Sequence, residues 1–303
     1  MNFDFAKNYR DRLLGNPKSR GVTFMLISVI GFALMNLVVK FLGNRIPAPE
    51  LVFFRSVVSL GLSLWYITRR KLKPLGNNRK WLVLRGVFGV TALTSFFYTL
   101  QHLPLSAAIV IQYLSPIFTA LFATWLLKEV VKGYQWLFFV ISFAGIALIR
   151  GFEETIDTTY LILGIVSSVF AGLAYNAIGK LAKTDDPVVV VFYFPLIATP
   201  IMALLGLTGI VDFVMPIGRE WLLLLLMGVL TQIAQVYMTK AFQSSSLSGL
   251  AGMKYLGIIF ALSFDYFIFG VTYGWITIAG MGLVIGGVLL NLFFKPRKSP
   301  KAS

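Results

Sequence analysis

Residues 108–150 match residues 250–292 at a constant offset of about 142 positions, and each copy closes a set containing an odd number of membrane-length apolar runs. An odd number of crossings puts the second set into the bilayer upside down. Gln112, Tyr113 and Leu114 stand against Lys254, Tyr255 and Leu256, and Gly145 and Ile146 stand against Gly287 and Val288. Asn36 and Lys40, near the end of the first run, recur as Asn176 and Lys180 near the end of the sixth. Two halves related by a pseudo-two-fold axis in the membrane plane are the construction with which secondary transporters open one central site to each side in turn.

A stretch of about 20 apolar residues is long enough to cross a hydrocarbon core of about 30 Å. Ten such runs are predicted, at 21–42, 51–68, 81–100, 105–127, 134–149, 160–182, 188–207, 221–242, 249–269 and 274–294. The first is longer than a signal-peptide core and no small-residue cleavage site follows its basic flank, so it is expected to stay as a span. With 57% hydrophobic and 13% charged residues, the composition is that of an integral membrane protein. A net charge of +15 invites a nucleic-acid reading, but the basic residues sit mostly in tails and short connections, without the aromatic interleaving of nucleic-acid binders. Membrane topology explains them better. Twenty Lys and Arg fall in one alternating set of connections and tails, against only Arg45, Arg150 and Arg219 in the other, which predicts both termini in the cytoplasm. The expected organisation is a tail over 1–20, five-helix repeats over 21–150 and 151–294, and a second tail over 295–303. The chain has no cysteine, so disulfides, thiolate metal sites and cysteine nucleophiles are excluded.

Ten spans in two inverted halves, together with the segment from Leu105 through Gln112, Pro116 and Glu129 to Gly145, resemble the drug/metabolite transporter superfamily and its EamA-type families. The second copy of that segment runs from Leu247 through Lys254 to Gly280, Leu283 and Gly287, with Ile258 where the first copy has Pro116 and Val271 where it has Glu129. The resemblance implies an all-α integral membrane transporter that works by alternating access. It implies export of amino acids or similar metabolites, while the related nucleotide-sugar carriers keep exchange or uptake open. In those carriers the position of Lys254, approached here through Gly252 and Met253, binds substrate.

Ionisable groups inside a membrane are costly and face a bundle interior or water, which narrows the search for a site. Lys254 lies about five residues inside the ninth run, where it either meets an anionic solute or snorkels to the interface. Gln112, Ser115 and Thr119 form one polar stripe on the fourth run, and Thr91, Thr94, Ser95 and Tyr98 another on the third. Both stripes suit either an aqueous cavity or interhelical hydrogen bonding. Tyr255 neighbours the first stripe. The eighth run adds Thr231, Gln232 and Gln235, and the first adds Asn36; buried amides need more partners than hydroxyls, so Gln235 and Asn36 join the candidates. Asn36 and Asn176, being repeat-related, also suit a structural role. Arg55, one turn inside the second run, either pairs with Asp265 or receives an anionic group, whereas Arg85 is expected to anchor at the interface. Glu129 ends the fourth run, where a carboxylate opposes the helix dipole and suits gating or packing. Gly86, Gly89, Gly280, Gly282, Gly286 and Gly287 are read as points of close helix approach, and Pro116, Pro195 and Pro200 as local breaks.

The single histidine, His102, has neither paired carboxylates nor a metal-ligand cluster around it, so an enzyme is not expected, and neither is a metal or cofactor. A receptor or scaffold is the other competing class, and it needs neither polar stripes nor duplication. The expected partners are a small-molecule substrate and the lipid bilayer, with the monomer as working unit and no nucleic acid.

Overall fold

The computed structural model describes residues 17–127, 133–152, 157–244 and 256–294. Lipid offers the backbone no hydrogen-bond partners, so each apolar run must satisfy its own N–H and C=O groups as a helix. The helices are α1 (Pro17–Leu42), α2 (Ala48–Arg69), α3 (Arg79–His102), α4 (Leu105–Gln112), α5 (Ser115–Leu127), α6 (Gly133–Phe152), α7 (Thr158–Leu181), α8 (Pro187–Leu207), α9 (Glu220–Ser244), α10 (Leu256–Phe267) and α11 (Trp275–Phe293). Among the described residues seven spans have full membrane length, one of them formed by α4 and α5 in series, and three shorter apolar helices accompany them.

Local chemistry sets the helix ends. Asp157 Oδ1 accepts from the Thr159 N–H at 2.6 Å to start α7, and Asp186 Oδ1 accepts from the Val188 N–H at 2.8 Å to start α8. Proline precedes α2 at Pro47, so Pro49 and Glu50, expected in the connection, belong to the helix instead. The fourth run breaks at Tyr113 and Leu114. Pro116 has no N–H for the Gln112 carbonyl four residues earlier, which is the physical reason for a break there. Pro195 and Pro200 differ from expectation, because α8 runs on through both.

The inversion is visible in which connections meet. Arg45, between α1 and α2, pairs with Glu220 at the start of α9, and this hydrogen bond raises the Arg45 pKa above its ordinary value. On the opposite face, Asn77 between α2 and α3 donates its backbone N–H to Asp185 Oδ1 at 2.6 Å, and Asp185 lies between α7 and α8. The connection after the first helix of the second half therefore lies with the connection after the second helix of the first. The halves run through the membrane in opposite directions, and the two faces are named here by Arg45 and Asp185.

Packing obeys the same two-fold relation. Helix α3 packs on α7 as α9 packs on α1, and α3 on α8 as α9 on α2. Gly86 faces the Tyr193 carbonyl and Ile197 of α8, while Gly228 faces Val58 of α2. Gly145 lies against Gly280 and Val284, and Gly287 lies against Phe138 and Ser142, so each contact is the other displaced by 142 positions. Gly282 and Gly286 have open space where a side chain would stand, so close approach is the task of Gly86, Gly89, Gly145 and Gly287.

Candidate solute cavity

The α3–α7 and α9–α1 pairs leave a cavity of about 170 Å³ between them, reaching from the middle of the bundle toward the Asp185 face. Its wall is mostly apolar. The polar groups that enter it are few, as in a site that encloses a small solute. They include Asn36 of α1, Arg85 of α3, Gln112 of α4, Tyr175 of α7 and Gln235 of α9.

Arg85 is the central feature. Only 3% of it is exposed, and its Nη2 donates to Gln235 Oε1 at 3.3 Å. The guanidinium lies 5.7 Å from the centre of the Phe194 ring, close enough for cation–π attraction. Arg85 Nε has no hydrogen-bond partner, and no carboxylate pairs with Arg85 among the described residues. Gly89, one turn along α3, gives the guanidinium its room, since a methyl group there would crowd Arg85 Nη1 and come within 2.9 Å of the Phe194 ring. Arg85 is thus a buried cation in the cavity wall, not an interfacial anchor. Depth from the helix end misplaced it, because α8 packs over that part of α3 and shields it.

Three sequence candidates join Arg85 in the wall: Asn36, Gln112 and Gln235. Asn36 is 7% exposed, and its Oδ1 has no partner among the described residues. Ser167 Oγ lies 2.6 Å from both the Ala92 carbonyl and the Gln112 side-chain amide. The hydroxyl has one proton and donates to one of these two oxygens, the Ala92 carbonyl or Gln112 Oε1, at a time. Asn176, the repeat partner of Asn36, bonds the Thr119 and Gly172 carbonyls, each at 3.0 Å, which is a structural role.

Other candidates are held elsewhere. The Thr119 hydroxyl turns back to the Ser115 carbonyl at 2.7 Å and does not line the cavity. Tyr98 lies toward the Arg45 face, where its carbonyl is 2.9 Å from His102 Nδ1. Asp265 does not pair with Arg55: it accepts from the Leu105 N–H at 3.1 Å, the Ser106 N–H at 2.7 Å and the Tyr273 hydroxyl at 2.7 Å. A carboxylate at the start of α4 satisfies donors that the helix cannot and meets the positive end of its dipole. Arg55 is 1% exposed and lies 5.6 Å from the centre of the Phe97 ring and 5.1 Å from that of Phe194, outside the cavity wall. Lys254, Tyr255 and Glu129 lie outside the described residues.

Phe194 escaped the sequence reading altogether. Its signal was positional: it stands eight residues past Asp186 at the start of α8, as Arg55 stands eight past Pro47 at the start of α2.

The model of the EamA-like transporter family matches residues 19–151 and again 158–293. The pseudopaline exporter CntI of Pseudomonas aeruginosa is 32% identical over 88% of this chain and 93% of its own length. Human solute carrier family 35 member G1 is 28% identical over 88% of this chain and 76% of its own, and the S-adenosylmethionine uptake transporter of Rickettsia prowazekii is 25% identical over 90% and 92%. A solved crystal structure shares the fold with a TM-score of 0.66 over 91% of this chain and 98% of that one, at 16% identity. The chain therefore belongs to the EamA-like transporter family, and it is a multi-pass membrane transporter of small solutes, not an enzyme.

Proposed function

We propose that the chain exports a small metabolite carrying a carboxylate, an amino acid or a related solute, by alternating access through the central cavity. One observation supports this above the others: Arg85 presents a buried positive charge to the cavity, with no carboxylate to neutralise it among the described residues. An unpaired charge in a low-dielectric bundle is costly, and an arriving anion relieves that cost. The guanidinium fork also fits a carboxylate through two parallel hydrogen bonds. Gln235 holds Arg85, while Asn36 Oδ1 is an acceptor suited to an ammonium or hydroxyl on the same solute. Lys254 and Tyr255, which lie outside the described residues, complete the proposed set on the sequence reading alone. The excess of Lys and Arg supports a cytoplasmic position for the Asp185 face, toward which the cavity extends. Export takes solute from that side.

A second reading is uptake or exchange of nucleotide-type or phosphorylated metabolites: the relative named as an S-adenosylmethionine uptake transporter supports uptake and an adenosine-bearing solute, and a guanidinium would bind phosphate as readily as carboxylate. One assay separates them. Purified protein in sealed phospholipid vesicles is offered labelled amino acids, dicarboxylates and nucleotides, with and without Arg85→Gln. The proposal expects a carboxylate-bearing solute to equilibrate at a rate that Arg85→Gln lowers at least tenfold; wild-type rates in that variant would remove Arg85 from the site.

A further inference from the structure

We infer that Arg55 is a second anion site, closed in this structure, which receives the anionic group of the solute when the bundle opens toward the Arg45 face. The inference rests on the reading of Arg85 as the anion contact in the state seen here. Arg55 and Arg85 share one ring as neighbour, with the Phe194 centroid 5.1 Å from the first guanidinium and 5.7 Å from the second. Only Arg85 lines the cavity. Arg55 belongs to the other half of the membrane: α2 descends from the Arg45 face and Arg55 lies two turns along it, whereas Arg85 lies two turns up α3 from the Asp185 face. Two aromatic faces offset part of the burial cost of Arg55, but its Nε and Nη1 have no hydrogen-bond partner among the described residues and no carboxylate pairs with it there.

The position of Arg55 fits such an exchange. Arg55 and Phe194 are repeat equivalents that meet where α2 crosses α8, and the two-fold relation exchanges these two helices. Rocking the halves about that crossing closes the path to Arg85 as it uncovers the path to Arg55. Phe194, the ring that both guanidinium groups contact, sits at that crossing. A solute anion released by one guanidinium is then only one ring away from the next, and at no stage crosses the bilayer centre without a counter-charge.

The chain contains no cysteine, so an introduced thiol reports access without background. Val52 lies three residues before Arg55, on the same side of α2 and nearer the Arg45 face. Val52→Cys and the cavity-lining Ala174→Cys are treated, in sealed vesicles of each orientation, with the anionic 2-sulfonatoethyl and the cationic trimethylammonioethyl methanethiosulfonates. Val52→Cys is expected to react only from the Arg45 face and to favour the anionic reagent; adding Arg55→Gln lowers that preference roughly tenfold, whereas Arg55→Lys keeps it. Arg55→Met, which retains the stack on Phe97 and Phe194, serves where the glutamine variant fails to insert, with the same expectation. Absence of reaction at position 52 from that face, or a preference indifferent to Arg55, overturns the inference. A preference at Ala174→Cys indifferent to Arg85→Gln, with the Arg55 dependence intact, overturns the reading of Arg85 and leaves Arg55 standing as an anion site.

Discussion

Lys40 and Asp265 hold the two sides of one corner. Lys40 Nζ donates to the Leu103 carbonyl at 2.6 Å and the Leu100 carbonyl at 3.0 Å, which end α3, while Asp265 accepts the N–H groups of Leu105 and Ser106, which begin α4. A cation at a helix C-terminus and an anion at a helix N-terminus are both the favourable choice for the dipole. Because Lys40 comes from α1 and Asp265 from α10, the corner ties the two halves together on the Arg45 face, on the side away from the cavity.

Asp265→Asn tests whether that tie keeps the Arg45 face shut. An amide can accept only one of the two backbone N–H bonds with its oxygen and carries no charge, so the change is expected to lower stability by about 1–2 kcal/mol. The lower melting point should come with faster labelling of Val52→Cys from the Arg45 face. An unchanged labelling rate would show that the corner contributes stability alone.

Gln235→Glu places a carboxylate where an amide oxygen now accepts from Arg85 at 3.3 Å. The buried cation gains a permanent partner, which is expected to raise stability in spite of the cost of burying the second charge. The same partner competes with the solute, so transport should fall at least tenfold while thermal stability rises. Opposite movement of these two measurements distinguishes an occupied anion site from simple damage. A variant that transports normally would mean that Arg85 does not bind the solute.

Gly89→Ala is expected to act through Arg85. The added methyl would come within 2.9 Å of the Phe194 ring and against Arg85 Nη1, so one of them must move. Overpacking of this kind costs about 1–3 kcal/mol. Transport should drop well beyond what that stability loss explains, and a second substitution, Phe194→Leu, should restore part of it by freeing space for the guanidinium. Vesicle transport of the single and double variants checks this.

Repetition carried most of the fold in the sequence. Asn36 with Asn176, and Gly145 with Gly287, each recur at a nearly fixed offset, and apolar length marked the ten spans. Gln112 was legible from the polar stripe on its run and Gln235 as a buried amide that needs partners, while Asn36 read as a structural residue as much as a cavity one. Arg85 was not, because its distance from a helix end suggested water, and only the packing of α8 over α3 shows otherwise. Asp265 was placed at the correct end of its helix, but a sequence cannot say that Leu105 and Ser106 will be its partners, since that depends on how two distant helices cross. Phe194 was hidden among the aromatic residues of an apolar run, and its importance appears only once Arg55 and Arg85 are both seen against its ring.

Gly286 and Gly287 are neighbours with opposite sensitivities. A side chain at Gly287 would press on Ser142 and come within 2.7 Å of the Phe138 carbonyl, whereas one at Gly286 meets nothing within 4 Å. Gly287→Ala must therefore push α11 away from α6, at an expected cost of about 1–3 kcal/mol. Gly286→Ala should be neutral or stabilising by up to about 1 kcal/mol, since alanine favours the helix where nothing opposes it. Gly145→Ala repeats the Gly287 clash from the other side, against the Gly280 carbonyl and Val284. Once one methyl has separated the helices the second has less left to disturb, so the double variant should cost less than the sum of the singles. Thermal melting of the four variants in detergent checks the series, and equal costs at Gly286 and Gly287 would contradict the reciprocal contact of α6 and α11.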